Sequence, residues 1–260
     1  MKKILSVFLI LCTVGASAHA AEPKLRWLGH AAFQLTTRGG KIILIDPWIT
    51  NPKAPKGISF SHVEGILITH GHADHVGEAF DLAKKYNAPL VASYELTDIA
   101  KKHGVQNVVP LNPNGSTKIQ TVTITAVPAI HSSSYKEGDT ELYAGMAMGY
   151  VVSDEGSATF YHAGDTAVFS DMQLIAELYS PQIVLLPIGG NYTMKPAEAA
   201  IAARALQARA VIPMHYGTFP LLTGTPQELE REMKRLGVLS KMVAMTPGQE
   251  LTLKELASIK

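Results

Sequence analysis

The chain has 260 residues, 47% of them hydrophobic and 17% charged, with a formal net charge of +1. That is ample for a sizeable core, and at this length one domain is expected. It excludes the basic stripe of a nucleic-acid-binding surface.

The N-terminus reads as a signal peptide over residues 1–20. Met1-Lys2-Lys3 is a positive start, Ile4 to Val14 is apolar, and Ala18-His19-Ala20 is a small-residue cleavage site before Ala21. The apolar run is too short to span a bilayer. The mature chain, residues 21–260, is therefore expected in the periplasm or outside the cell, with no stable membrane insertion. An uncleaved anchor is the alternative. Cys12, the only cysteine, lies inside the signal. Its loss removes disulfides, a thiol nucleophile and any thiolate ligand together.

Beyond the signal, Leu25–Leu28, Phe33–Thr37 and Lys41–Ile45 read as strands, with a turn at Arg38-Gly39-Gly40. Asp46-Pro47-Trp48 ends the third, and the stretch from Asn51 to Gly57 is a loop. Gly65–Thr69 is an apolar run that reads as a buried strand. It empties into His70-Gly71-His72-Ala73-Asp74-His75, three imidazoles and one carboxylate in six residues. Val76–Tyr86 follows with helical periodicity. Further on come strands at Leu90-Val91, Val108-Val109, Lys118–Val127, Met146–Val152 and Ala158–Tyr161, and a helix at Glu95–His103. The remainder alternates: helix Asp171–Tyr179, strand Ile183–Leu186, helix Pro196–Leu206, strand Ala210–Ile212, helix Pro226–Leu236, then strands at Met242–Ala244 and Leu251–Leu253. No repeat or linker is evident. A β-rich start followed by β/α alternation, twice, predicts two mixed sheets covered by helices, with the His-rich loop where the sheets meet.

Imidazole and carboxylate in a strand-end loop are metal-ligand chemistry. His70 and His72, two apart in extended chain, can point the same way and grip one ion. Asp74 and His75 point elsewhere and suit a second ion, and metals about 3.5–4 Å apart can polarise a substrate and activate water together. Six residues do not close two sites, so more ligands are expected at later strand ends. His131, Asp165 and His215 each leave an apolar run and enter a loop. Alone, the two histidines would read as ordinary loop residues, and Asp165 as a turn residue in Gly-Asp-Thr.

With these residues in order, the chain resembles the metallo-β-lactamase superfamily, and within it the UPF0173 group of metal-dependent hydrolases related to the L-ascorbate-6-phosphate lactonase. The matching segments are Trp27–Phe33, Ile45-Asp46-Pro47, Thr69–Gly77, Ala129–Ser134, Tyr161–Thr166, Leu186–Gly189 and Ile212–Tyr216. The resemblance implies an α/β fold, a four-layer αββα sandwich. It implies a binuclear metal centre with two divalent ions, zinc first, with manganese, iron or nickel fitting the same donors. His70, His72 and His131 would hold one ion, Asp74, His75 and His215 the other, and Asp165 would bridge them. A water or hydroxide between the ions would be the nucleophile, with Asp74 orienting it or taking its proton. Asp46 would hold the loop's geometry. His30, His162, Tyr192 and Tyr216 are expected either to support the ligands or to touch substrate.

The implied activity is cleavage of a lactone, ester or phosphodiester in a small-molecule substrate. Homo-oligomers are common among relatives. β-Lactam hydrolysis is the first alternative, but enzymes of that kind usually lack the Asp165 bridge, and one large group uses an absent Cys ligand. Di-iron redox relatives carry Glu where His72 stands and need a flavin domain. The last alternative is a metal-binding protein without turnover, and the complete ligand set argues against it. Substrate selectivity would lie in loops such as Ser132–Leu142 and Asn191–Lys195.

Overall fold

A computed structural model describes residues 21–259. The expected signal peptide, with Cys12 and His19, lies outside them. The first sheet holds β1 (Lys24–Trp27), β2 (Phe33–Thr36), β3 (Ile42–Ile45), β4 (Gly65–Leu67), β5 (Leu90–Ser93) and β6 (Val108–Leu111). The second holds β7 (Ser116–Ile119), β8 (Val122–Pro128), β11 (Met148–Asp154), β12 (Phe160–His162), β13 (Ile183–Pro187), β14 (Ala210–Met214) and β15 (Lys241–Met242). A small hairpin, β9 (Ser134–Glu137) and β10 (Thr140–Tyr143), stands apart, and β16 (Glu250–Thr252) returns to the free edge of β1.

The sheet orders are β16-β1-β2-β3-β4-β5-β6 and β7-β8-β11-β12-β13-β14-β15. In each, the first three pairings are antiparallel and the last three parallel. No sequence repeat announces this shared plan. The inner parallel strands β4, β5, β13 and β14 are buried throughout, and β13 reads as an unbroken apolar run, Ile183-Val184-Leu185-Leu186.

Three apolar clusters separate four layers. The central one joins the sheets, with Leu25, Phe33, Leu35 and Ile43 against Ile124, Tyr150, Phe160 and Ile212. A second packs α2 (Ala79–Tyr86) and α3 (Tyr94–Lys102) on the first sheet through Phe80, Leu82, Leu96 and Ile99. A third packs α4 (Met172–Tyr179), α5 (Pro196–Leu206) and α6 (Pro226–Arg235) on the second through Ile175, Ala199, Leu206 and Leu229. The αββα sandwich expected from the sequence is the observed fold. Among the described residues, no helix is long and apolar enough to cross a membrane.

Four local expectations are corrected. Lys118–Val127 is not one strand but the β7–β8 hairpin, whose two-residue loop puts Gln120 at φ 54°, a left-handed turn with no Gly, Asn or Asp to signal it. The helix expected over Val76–Tyr86 is two: α1 (Ala73–Val76) and α2, split by Gly77 at φ 43° and ψ −123°. A side chain there would overlap the backbone of Trp48, so only glycine fits. The Ser132–Leu142 loop contains the β9–β10 hairpin, turning on Gly138-Asp139. The strand expected at Leu251–Leu253 stops at Thr252, which caps α7 (Leu253–Ala257) in a reciprocal capping box with Glu255.

Candidate metal centre

The site lies where strands of both sheets release their chains. From the first sheet come Asp46 after β3 and the His70–His75 loop after β4. From the second come His131 after β8, Asp165 after β12 and His215 after β14. His30, Asp46 and His215 all adopt left-handed backbone, at φ 53°, 45° and 55°. That conformation is uncommon outside glycine, and it turns each side chain inward off its strand. Gly71 separates His70 from His72 because the chain passes tightly there: a Cβ would lie 2.6 Å from the Ser134 carbonyl oxygen.

Three groups of donors converge closely enough to hold a metal ion: His70, His72 and His131; His30, Asp74, His75 and His215; and His70, His75 and Asp165. Asp165 Oδ2 lies 3.1 Å from His215 Nε2, 3.3 Å from His75 Nε2 and 3.6 Å from His131 Nε2. Asp74 Oδ2 lies 3.6 Å from His215 Nε2. His70 Nε2 and His72 Nδ1 are 2.9 Å apart.

A hydrogen-bonded scaffold beneath presents these atoms. Asp46 is fully buried and accepts from the Thr69 N–H at 2.8 Å, the Thr69 hydroxyl at 2.7 Å and His75 Nδ1 at 2.7 Å. With its own proton given to Asp46, the Thr69 hydroxyl accepts from His70 Nδ1 at 3.1 Å. Both imidazoles therefore keep a proton on Nδ1 and turn Nε2, the atom a metal would take, toward the cluster. His30 donates from Nε2 to Asp74 Oδ2 at 3.0 Å and accepts at Nδ1 from Thr218 at 2.9 Å. Its carbonyl also holds the His215 N–H at 3.1 Å.

Electrostatics divide the cluster. Burial lowers the pKa of His70, and with help from neighbouring histidines those of His72 and His131, so these three imidazoles are neutral. Burial also opposes charge on His75 and His215, but the Asp165 carboxylate outweighs it, raising His75 well above its usual range and His215 to about 9. The same histidines hold Asp165 well below the carboxylate range against its own burial. His75 Nε2, both His215 nitrogens and Asp165 Oδ1 are buried with no aligned hydrogen-bond partner. Unpartnered buried polar atoms are costly, and here they converge. Bare imidazole nitrogens and carboxylate oxygens are the donor set of a borderline divalent cation, so the residues fit a metal.

Above the cluster opens a cavity of about 260 Å³, lined by His72, Asp74, His131, Ser132, Asp165, Tyr192 and His215. Tyr192 thus stands at the mouth. Tyr216 does not: its half-buried ring stacks on Trp27 with centroids 5.6 Å apart. His162 is fully buried away from the cavity, donating to the Ala31 carbonyl at 2.9 Å and accepting from the Gly164 N–H at 3.2 Å. It braces the turn that carries Asp165. Sequence reasoning missed Thr69 and Thr218. Thr69 was within reach as the hydroxyl next to the motif; Thr218 has no local signal.

Residues 41–216 match the family model described as a β-lactamase superfamily domain. A UPF0173 metal-dependent hydrolase of Rubrobacter xylanophilus is 46% identical over 231 residues, covering 88% of this chain and 96% of its own. One from Myxococcus xanthus is 48% identical over 236 residues, covering 90% and 84%. The chain belongs to the UPF0173 metal-dependent hydrolases of this superfamily. Among solved structures, Igni18, a metallo hydrolase of the archaeon Ignicoccus hospitalis, superposes with a TM-score of 0.78 at 35% identity, covering 89% of this chain and 98% of its own. The protein is thus a metal-dependent hydrolase with the metallo-β-lactamase fold, and its His/Asp cluster is the candidate metal centre.

Proposed function

We propose that this hydrolase is exported and uses two divalent cations, zinc first among them, to open a lactone, ester or phosphodiester bond. The observation that carries this reading is the position of Asp165. A single carboxylate oxygen borders His75 and His215 on one side and His131 on the other. That placement supports a bridging role between one ion on His70, His72 and His131 and another on Asp74, His75 and His215. Such a pair would supply a water of lowered pKa and a positive pole for the substrate oxygen that gains charge.

The chain's own residues supply the rest. Asp46 and Thr69 orient two imidazoles through their Nδ1 protons. His30 fixes Asp74 through Oδ2, leaving the other oxygen of a carboxylate 25% exposed at the cavity free to orient an attacking water or take its proton. Ser132 and Tyr192 line the cavity and are the substrate contacts of this reading.

Metal content per chain, by elemental analysis of protein purified without chelator, tests the reading beside Asp165→Ala and His72→Ala. About two ions in the parent and fewer in each variant are expected, with turnover of at least one lactone, ester or phosphodiester; turnover of a β-lactam alone would favour the alternative instead. A parent that neither carries nor takes up metal would sink it. Export is tested separately by N-terminal sequencing, with Ala21 expected as the first residue.

A further inference from the structure

Asp74 sits on α1, a helix of only four residues, with its side chain 25% exposed. The one hydrogen bond that the described residues give its carboxylate comes from His30 Nε2 at 3.0 Å. His30 is itself fully buried and stands on left-handed backbone at φ 53°. The loop that leaves β14, in the opposite sheet, clamps it. The His215 N–H donates to the His30 carbonyl at 3.1 Å, and the two rings lie 3.9 Å apart between centroids. Three residues on, the Thr218 hydroxyl meets His30 Nδ1 at 2.9 Å. Trp27 Nε1 also holds the His30 carbonyl, at 3.0 Å, but among the described residues Thr218 is the one hydrogen-bond partner of Nδ1. By distance alone, His30 could join Asp74, His75 and His215 around an ion. Its hydrogen bonds argue otherwise. A carboxylate accepts and does not donate, so Nε2 carries the proton and is closed to a metal. In the neutral ring Nδ1 is then an acceptor, and the hydroxyl donates to it.

We propose that Thr218 is a positioning residue: its hydroxyl fixes the His30 ring with Nε2–H aimed at Asp74, so a loop of the second sheet sets the geometry of a ligand carried by the first. This goes beyond the hydrolytic reading above and rests on it only for the effect on turnover. A hydroxyl donating to Nδ1 favours the tautomer protonated on Nε2. It also opposes a flip of the ring, which would set carbons opposite both Thr218 and Asp74. Asp74 Oδ2 is thereby kept 3.6 Å from His215 Nε2, on the His75 and His215 side of the centre. Nothing in this chain of contacts reaches the group formed by His70, His72 and His131, so the effect belongs to one half of the centre.

Thr218→Val keeps the shape of the side chain and removes the donor, whereas Thr218→Ser keeps the donor. Nitrogen NMR of zinc-loaded protein with labelled histidine reads the ring directly, the His30 signals being assigned by their loss in His30→Ala. The parent should show a proton on Nε2 and a hydrogen-bonded Nδ1. Thr218→Val should move the Nδ1 signal to that of a free acceptor, and Thr218→Ser should leave it in place. Zinc competition against a chelator of known affinity should show one of the two ions held about tenfold more weakly in Thr218→Val and the other unchanged, with parental binding in Thr218→Ser. On the lactone, ester or phosphodiester that the parent turns over, kcat of zinc-saturated Thr218→Val should fall about tenfold while KM stays within about twofold. On a His30→Ala background, Thr218→Val should lower neither zinc affinity nor kcat further. A zinc-loaded parent whose His30 Nε2 carries no proton overturns the role of Thr218. So does parental zinc affinity in Thr218→Val, an equal loss in Thr218→Ser, or an additive loss on the His30→Ala background. A zinc-loaded parent that cleaves no ester, lactone or diester overturns the hydrolytic reading instead, and the NMR and the competition still decide Thr218.

Discussion

Asp46 Oδ2 and His75 Nδ1 meet at 2.7 Å with both side chains fully buried. The contact fixes one proton on Nδ1, so that Nε2, the atom a metal would take, faces Asp165 at 3.3 Å. In Asp46→Asn, an amide N–H replaces the acceptor that His75 and Thr69 share, so donor faces donor. Metal affinity should fall about 10- to 100-fold. Competition against a chelator of known affinity measures it, and parental affinity in the variant would remove the role assigned to Asp46.

Gly77 sits at φ 43° with the Trp48 backbone where its Cβ would stand. Gly77→Ala should therefore cost about 2 kcal/mol or more. For a domain of this size that lowers Tm by about 5 °C or more. It should weaken metal binding too, because Gly77 follows α1, which carries Asp74 and His75. Thermal unfolding within about 1 °C of the parent would contradict the steric account.

Unpartnered donors gathered at one point should make the fold depend on metal. At free metal about 100-fold above Kd, binding adds about 2.7 kcal/mol. Chelation should therefore lower Tm by about 5 °C or more, and added metal should restore it. Calorimetry with and without chelator decides this, and an unchanged Tm would count against the cluster as a metal site.

The metal-free protein should show a stability maximum in pH. His215 has its pKa raised to about 9, because Asp165 outweighs burial. Its contribution is fully present below the unfolded value of about 6.5 and is lost as pH rises toward 9. His30 is lowered to about 4, chiefly by burial. Below about 6.5 the unfolded chain takes up a proton that native His30 refuses, so stability also falls as pH drops toward 4. Tm of chelated protein measured from pH 4 to 10 should be highest between these limbs. A profile that rises or falls throughout would refute the assignment.

Much of this site was legible because its chemistry is written where strands end. The His70–His75 hexapeptide, His131, Asp165 and His215 each follow an apolar run, and the structure brings all of them together. What stayed hidden is of three kinds. The β7–β8 turn on Gln120 and the split at Gly77 depend on backbone signs that periodicity does not register. The Gly138-Asp139 turn was readable, but β9 and β10 are too polar and short to stand out as strands. Thr218 reaches His30 across 188 residues of chain, a contact no local pattern encodes.

The shared plan of the two sheets has a topological consequence. Four of the expected ligands come from the first sheet and three from the second, so neither half closes a site alone. Among the described residues there is no cysteine to tie the halves covalently. Coordination would then act as the sandwich's cross-link in the folded state alone, joining positions far apart in sequence and adding its binding free energy to stability, whereas a disulfide would constrain the unfolded chain as well. A chain nicked in the loop between β6 and β7 keeps the central apolar cluster and the β16–β1 pairing, so its two pieces should stay together in either state but separate at lower denaturant when the metal is withdrawn.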